Sequence, residues 1–232
     1  MITLTGVTKT YRSGDIETAA LKSIDLEIAE GEFAVILGPS GSGKSTLLNV
    51  ISGLDTVTSG KISFRGKELT GLSESGMTRF RRQYLGFIFQ QYNLLQNLTV
   101  YENIQIGSDI GTDPLDIDEL LLKIGLEKTR NKYPSQLSGG EQQRVSVARS
   151  LAKNPAVIFC DEPTGSLDEA NSKNVLKLLQ ELNREYRKTI VIITHNTGIS
   201  EMSDKVIKMN SGKIVDITIN PTKKDAKDIH WG

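Results

Sequence analysis

Apolar positions along the chain change rhythm several times, and each rhythm predicts an element. Near the N-terminus the period is two: Ile2, Leu4 and Val7 lead to Tyr11, and Ile24, Leu26 and Ile28 alternate up to the turn at Glu30-Gly31. Such alternation predicts half-buried antiparallel strands. An unbroken run follows, Phe33-Ala34-Val35-Ile36-Leu37, which reads as a parallel strand buried on both faces. Leu47, Leu48, Val50 and Ile51 then take helical spacing, with Gly53 as the stop. Ser59-Gly60 turns into a strand Lys61–Phe64, and Arg65-Gly66-Lys67 turns again. A short helix from Met77 to Arg82 and a second apolar strand, Gly86–Phe89, come next.

From Tyr92 to about Pro155 the texture is helical. Ile117, Leu120, Leu121 and Ile124 share a face before Gly125, and Val145, Ala148, Leu151 and Ala152 share another on a helix from about Gly140. This block reads as a helical subdomain inserted between strands. Alternation of strand and helix then resumes with a strand Ala156–Cys160, a helix across Val175–Leu182 and a strand Thr189–Thr194. A hairpin closes it, Val206–Met209 against Lys213–Val215, turned by Asn210-Ser211-Gly212. The expected organisation is one α/β domain over 1–219, with the helical insertion at about 92–155 and a polar tail over 220–232. Trp231 in that tail is expected to dock onto the core.

Bulk properties remove several classes. The 232 residues carry 28 Lys+Arg and 28 Asp+Glu, and zero net charge argues against broad binding to nucleic acid or an acidic membrane. Arg79, Arg81 and Arg82 read as a solvated helix face. One cysteine, Cys160, lies in an apolar run and reads as a buried small hydrophobe. No disulfide can form within the chain, which suits a reducing compartment. The N-terminus does not read as a signal peptide, and no apolar run approaches the ~18 residues of a membrane span. The expectation is a cytoplasmic chain that meets a membrane only through a partner.

The chemistry centres on Gly38-Pro39-Ser40-Gly41-Ser42-Gly43-Lys44-Ser45-Thr46, between the buried strand and the first helix. Glycines at 38, 41 and 43 let successive N–H groups point into one concavity where side chains would obstruct phosphates. The helix N-terminus adds unpaired donors and partial positive charge. Lys44 is suited to β- and γ-phosphate oxygens and the Ser45 hydroxyl to Mg²⁺. Strand, glycine-rich turn, Lys-Ser and helix together predict a nucleoside triphosphate site.

Two further motifs fit that chemistry. Asp161-Glu162-Pro163 ends the strand Val157–Cys160; one acid there can meet Mg²⁺ and its neighbour can orient or deprotonate water. Leu137-Ser138-Gly139-Gly140-Glu141 opens a helix. It reads either as an ordinary N-cap or as a second phosphate-binding helix start.

With His195 ending Ile192-Ile193-Thr194, these motifs in this order resemble the nucleotide-binding subunit of ATP-binding-cassette (ABC) transporters, over about residues 1–216. The resemblance implies a P-loop NTPase (RecA-like) core with an antiparallel β-subdomain and an inserted helical subdomain, and ATP hydrolysis with Mg²⁺. It implies that Tyr11 stacks on adenine and that residues 38–46 hold the phosphates. Ser45, Gln90 and Asp161 would serve the metal, and Glu162 would be the general base with Gln90 and His195 assisting. Ser138, Gly139 and Gly140 would complete the site of a second, head-to-tail subunit. Gly165-Ser166-Leu167-Asp168 would communicate across that dimer, with Gly165 where the family more often has serine, and Glu141 stands where glutamine is more usual.

The resemblance further implies a homodimer on ATP binding and an integral-membrane permease partner. The segment from Gly86 to Leu95, with Leu98-Thr99 and Glu102-Asn103, is similar to the MacB, LolD and FtsE subgroup, although Ile104–Leu115 is shorter than usual there. The implied output is export or extraction of a peptide, antibiotic or lipoprotein; the alternative is regulation of a cell-wall enzyme without transport. Tyr92, Leu94 and Leu95 are expected in or beside the groove that receives the permease.

Overall fold

A computed structural model describes residues 1–231. Two sheets organise it. Strands β1 (Ile2–Ser13), β2 (Ile16–Ile28), β4 (Ser59–Phe64) and β5 (Lys67–Glu68) form an antiparallel sheet in the order β2-β1-β4-β5. The second sheet contains β3 (Phe33–Leu37), β6 (Leu85–Phe89), β7 (Val157–Asp161), β8 (Thr189–Thr194), β9 (Lys205–Asn210) and β10 (Lys213–Ile219). Its order is β10-β9-β3-β8-β7-β6, parallel throughout except for the β9–β10 hairpin. The five parallel strands stand where the apolar pattern predicts strands.

Strand β3 shows why its run is unbroken. Phe33, Val35 and Leu37 enter one hydrophobic core, while Ala34 and Ile36 enter another on the opposite face. Alternation along a strand sends successive side chains to opposite faces, so a strand covered on both sides needs apolar residues at every position. Strands β7 and β8 divide in the same way, Ile158 and Ile192 to one core and Phe159 and Val191 to the other. The antiparallel sheet and helix α1 (Lys44–Ile51) cover one face. Helices α3 (Val100–Asp109), α4 (Ile117–Lys123), α5 (Gly139–Ala152) and α6 (Glu169–Tyr186) contribute to the other core.

Several elements differ from the pattern reading. Helix α2 runs Glu74–Tyr84, longer than expected, because Ser73 caps it by accepting from Gly76 N. Helix α6 likewise extends to both sides of its apolar stripe, capped at its start by Asp168. Helix α3 was not predicted, since only Val100 and Ile104 mark its apolar face. It depends on a Thr99–Glu102 capping box and on Gly107. A Cβ at Gly107 would fall on the Arg149 carbonyl oxygen, so glycine is what lets α3 approach α5 so closely.

The arginine cluster on α2 is not merely solvated. Arg81 donates to Gly53 O at 2.6 Å and Arg82 to Ile110 O at 2.9 Å, tying two loops to the helix. The end of the chain folds back: Ala226 and Ile229 are buried, and Trp231 packs against the helical core. Among the described residues no helix is long and apolar enough to cross a membrane.

Candidate functional site

Strand β3 delivers the glycine-rich loop to the end of the parallel sheet, and α1 leaves from it. Gly43 sits at φ 100°, and a Cβ there would lie 2.7 Å from Ala20 O in β2. A side chain would therefore pay twice, in backbone strain and in collision. The β9–β10 turn braces the loop from outside: Gly212 N donates to Ser42 O at 3.0 Å, and Lys22 N donates to Gly212 O at 2.8 Å. The result is a cleft of about 460 Å³. Residues 40–46, Asp161, Glu162 and His195 all line it, together with Lys22 and Ser211, which the sequence reading missed. Both come from distant segments whose local pattern announces only strand and turn.

Inside the loop, one buried cation is satisfied by the loop's own backbone and one buried hydroxyl has no partner. Lys44 is buried and donates to the loop's own carbonyls, Gly38 O at 2.6 Å and Pro39 O at 2.9 Å. The buried Ser42 hydroxyl has no hydrogen-bond partner. A buried polar group left unpaired is costly, so the loop is suited to a ligand that brings oxygens. Asp161 at the end of β7 is half-buried. Desolvation, followed by the neighbouring Glu162 charge, raises its pKa above the ordinary carboxylate value against the pull of Lys44. Among the described residues no three His, Cys, Asp or Glu side chains form an all-protein metal cage. One carboxylate and one hydroxyl, Asp161 and Ser45, fit the different requirement of Mg²⁺, which keeps waters and takes phosphate oxygens as ligands.

Glu162 adopts φ 46°, the left-handed region that side-chain-bearing residues seldom occupy. Its N–H donates to Ile193 O at 3.0 Å. Both carboxylate oxygens are engaged: Oε2 accepts from Thr194 Oγ1 at 2.9 Å, and Oε1 lies 2.8 Å from His195 Nδ1. Thr194 is buried, whereas the His195 side chain is 73% exposed. Thr194 is a site residue the sequence reading passed over, because a threonine ending a strand carries no local signal.

Other expected residues lie outside this cleft. Gln90 is exposed at the end of β6, beside Gly165, and lines a separate hollow with Tyr92, Gln142 and Ser166. Ser138 caps α5 in a box with Glu141, and Asp168 caps α6 by accepting from Asn171 N and Nδ2. Neither Ser138, Gly139, Gly140 nor Asp168 lines the cleft. Buried Gln143 was also missed; its amide donates to Phe89 O at 3.3 Å and Pro163 O at 2.6 Å, joining α5 to the ends of β6 and β7. Tyr11 is 42% exposed on β1, and its hydroxyl donates to Asp55 Oδ2 at 2.8 Å. Of the residues expected in or beside a groove, Tyr92 and Leu94 line the hollow at Gln90; Leu94 also packs into the helical core and is mostly buried, whereas Leu95 is exposed.

Comparison with known proteins agrees with this geometry. The profile described as ABC transporter matches residues 21–165. The whole chain is 47% identical over 234 aligned positions to a putative ABC transporter ATP-binding protein, the MG065 homolog of Mycoplasma pneumoniae, but spans only half of that protein. It is 43% identical to the macrolide export ATP-binding/permease protein MacB of Azoarcus sp., matching 93% of this chain and a third of MacB. Among solved structures, the ATP-binding cassette MJ0796, in a dimeric post-hydrolysis state bound to ADP and Pi, superposes with a TM-score of 0.85. That match has 38% identity over 94% of this chain and 98% of the other. A phosphate cradle, an acidic strand end and a histidine in one cleft, on a fold shared with an ADP-bound cassette, identify this chain as a member of the ABC transporter family: an ATP-binding ATPase domain.

Proposed function

We propose that the chain energises export through a membrane permease, and that it works as a head-to-tail pair closing over two ATP molecules. The observation that carries the pairing is the division of the expected phosphate contacts. Lys44, Asp161, Glu162 and His195 converge on the cleft, while the glycine-rich helix start at Ser138–Gly140 belongs to none of it. A second copy related by two-fold symmetry would supply that helix start from outside, at each of two sites. MacB, whose name joins an ATP-binding part to a permease and to macrolide export, supports the export reading, and the dimeric MJ0796 cassette supports the pairing.

In this reading residues 38–46 cradle the phosphates, and Lys44 exchanges its loop carbonyls for phosphate oxygens. Ser45 and Asp161, with Gln90 drawn in on closure, would hold Mg²⁺, which would supply charge neutralisation for the leaving phosphate. Water attacks the γ-phosphorus as the bond to the β-phosphate oxygen breaks, and Glu162 takes the proton from that water. His195 would leave Glu162 Oε1 for the γ-phosphate, freeing that oxygen to act as the base. Loss of the γ-phosphate removes the contact joining the two copies, and they part.

Glu162→Gln tests this. The amide keeps size and hydrogen-bonding capacity but cannot take the proton. Gel filtration should show a dimer with ATP and a monomer with ADP or no nucleotide. An inactive variant that stays monomeric with ATP would refute the pairing, and wild-type hydrolysis would remove Glu162 from its role.

A further inference from the structure

One ion-pair cluster lies beside the cleft and has no part in the chemistry above. Lys9 is 8% exposed, although it stands on a β-strand beside two register shifts. Its ammonium donates to Asp55 Oδ1 at 2.6 Å and to Thr56 O at 2.6 Å. The other Asp55 oxygen accepts from Tyr11 Oη at 2.8 Å. Lys9 and Tyr11 are two residues apart and so share a strand face, and Lys9 Nζ sits over the Tyr11 ring, 4.9 Å from its centroid. One carboxylate therefore holds both the phenol and the cation stacked on its ring.

The cluster is tied to the phosphate loop through α1. Asp55 N donates to Asn49 O in α1, the helix that the loop begins. Thr10 N, next to Tyr11 on β1, donates to Thr58 Oγ1 at 2.9 Å, which ties the same strand to the segment that follows α1. The ring is thus set at a defined place relative to the phosphates. Lys9 takes one of its faces and leaves the other for a ligand. A cation drawn to the electron-rich face of an aromatic ring polarises that ring. Its opposite face becomes electron-poor and stacks best on a broad, electron-rich partner.

We propose that Lys9 and Asp55 are positioning residues that clamp the Tyr11 ring for base stacking and bias the site toward purine over pyrimidine nucleoside triphosphates. This rests on the reading of Tyr11 as the base-stacking residue. Lys9 and Asp55 act through the ring that they hold. The clamp also gives a role to a lysine buried on the same face of β1 as Val7, past the register shift after Leu4. An apolar residue at position 9 would fill the space but leave the phenol without its fixed carboxylate geometry.

The test uses the intact chain and the double variant Lys9→Met/Asp55→Asn, which strands no unpaired charge. Steady-state hydrolysis of ATP and CTP gives KM and kcat, and inorganic tripolyphosphate serves as a competitor that has phosphates but no base. The expected result is a KM for ATP raised about threefold to tenfold, a kcat within twofold, a reduced ATP-over-CTP preference and an unchanged inhibition constant for tripolyphosphate. Equal weakening of ATP and tripolyphosphate would overturn the proposal, since it would show a merely structural ion pair. Tyr11→Ala separates the two layers. If Tyr11→Ala raises KM for ATP and the double variant does not, the clamp is refuted and stacking stands. If Tyr11→Ala leaves KM for ATP unchanged, stacking falls and the clamp falls with it.

Discussion

Thr194 Oγ1 donates to Glu162 Oε2 at 2.9 Å, from a side chain that is itself buried. The hydroxyl also accepts from Asn196 N at 3.1 Å, which fixes its direction. The bond leaves Oε1 as the oxygen that can be released when His195 moves. Thr194→Val keeps the shape and removes the donor. We expect kcat to fall about tenfold to a hundredfold through misorientation of the carboxylate, with ATP affinity unchanged. Thr194→Ser should restore most of the rate. A valine variant of wild-type kcat would show that Glu162 needs no such guide.

Lys44 donates to two loop carbonyls, so Lys44→Ala removes more than a phosphate contact. A charge-assisted hydrogen bond is worth ~1.5–3 kcal/mol, and affinity for ATP should fall about tenfold to a hundredfold. Fluorescent nucleotide titration reads this directly. Unchanged affinity would contradict the loop's assignment.

Leu94 and Leu95 are adjacent but face different surroundings: 7% and 48% exposed. Leu94→Ser should destabilise the fold by ~2–4 kcal/mol, by removing buried methyl groups and burying a hydroxyl. Leu95→Ser should leave the melting temperature within a degree or two and, if Leu95 lies on the permease-facing surface, reduce permease co-purification. Equal melting of the two variants would contradict the burial of Leu94.

Lys153 is partly buried at the end of α5, donates to Arg81 O at 3.2 Å, and has its pKa lowered by desolvation from 10.5 to about 8. Below about pH 8 the folded protein carries a charge in a poorly solvated place. Between that value and 10.5 the unfolded chain still binds the proton and the folded chain does not, so stability rises with pH across this window. Lys153→Met should therefore stabilise the protein at pH 7 by roughly 1–2 kcal/mol, allowing for water that still reaches the ammonium. That advantage should fade towards pH 10.5. Denaturant melts of both proteins at the two pH values check it, and a pH-independent difference would exclude the desolvation account.

Chain order by itself determined the elements whose cause is local. An unbroken apolar run can only satisfy two covered faces, and so β3, β7 and β8 were legible, as was the loop whose glycines and Lys44 follow β3 directly. Asp161 and Glu162 were legible for the same reason, at the end of a run that had to be a strand. Helix α3 was not, because its stability rests on a cap and on a glycine fitted to the Arg149 backbone of another helix. Leu94 looked like Leu95 until the helices closed over one of them. Only the tertiary structure brought Thr194 to Glu162 across 32 positions and Lys9 to Asp55 across 46. Hydrogen bonds between distant segments leave no periodicity in either one; they arise when two sheets and their helices pack, and packing decides which of many polar side chains acquires a partner.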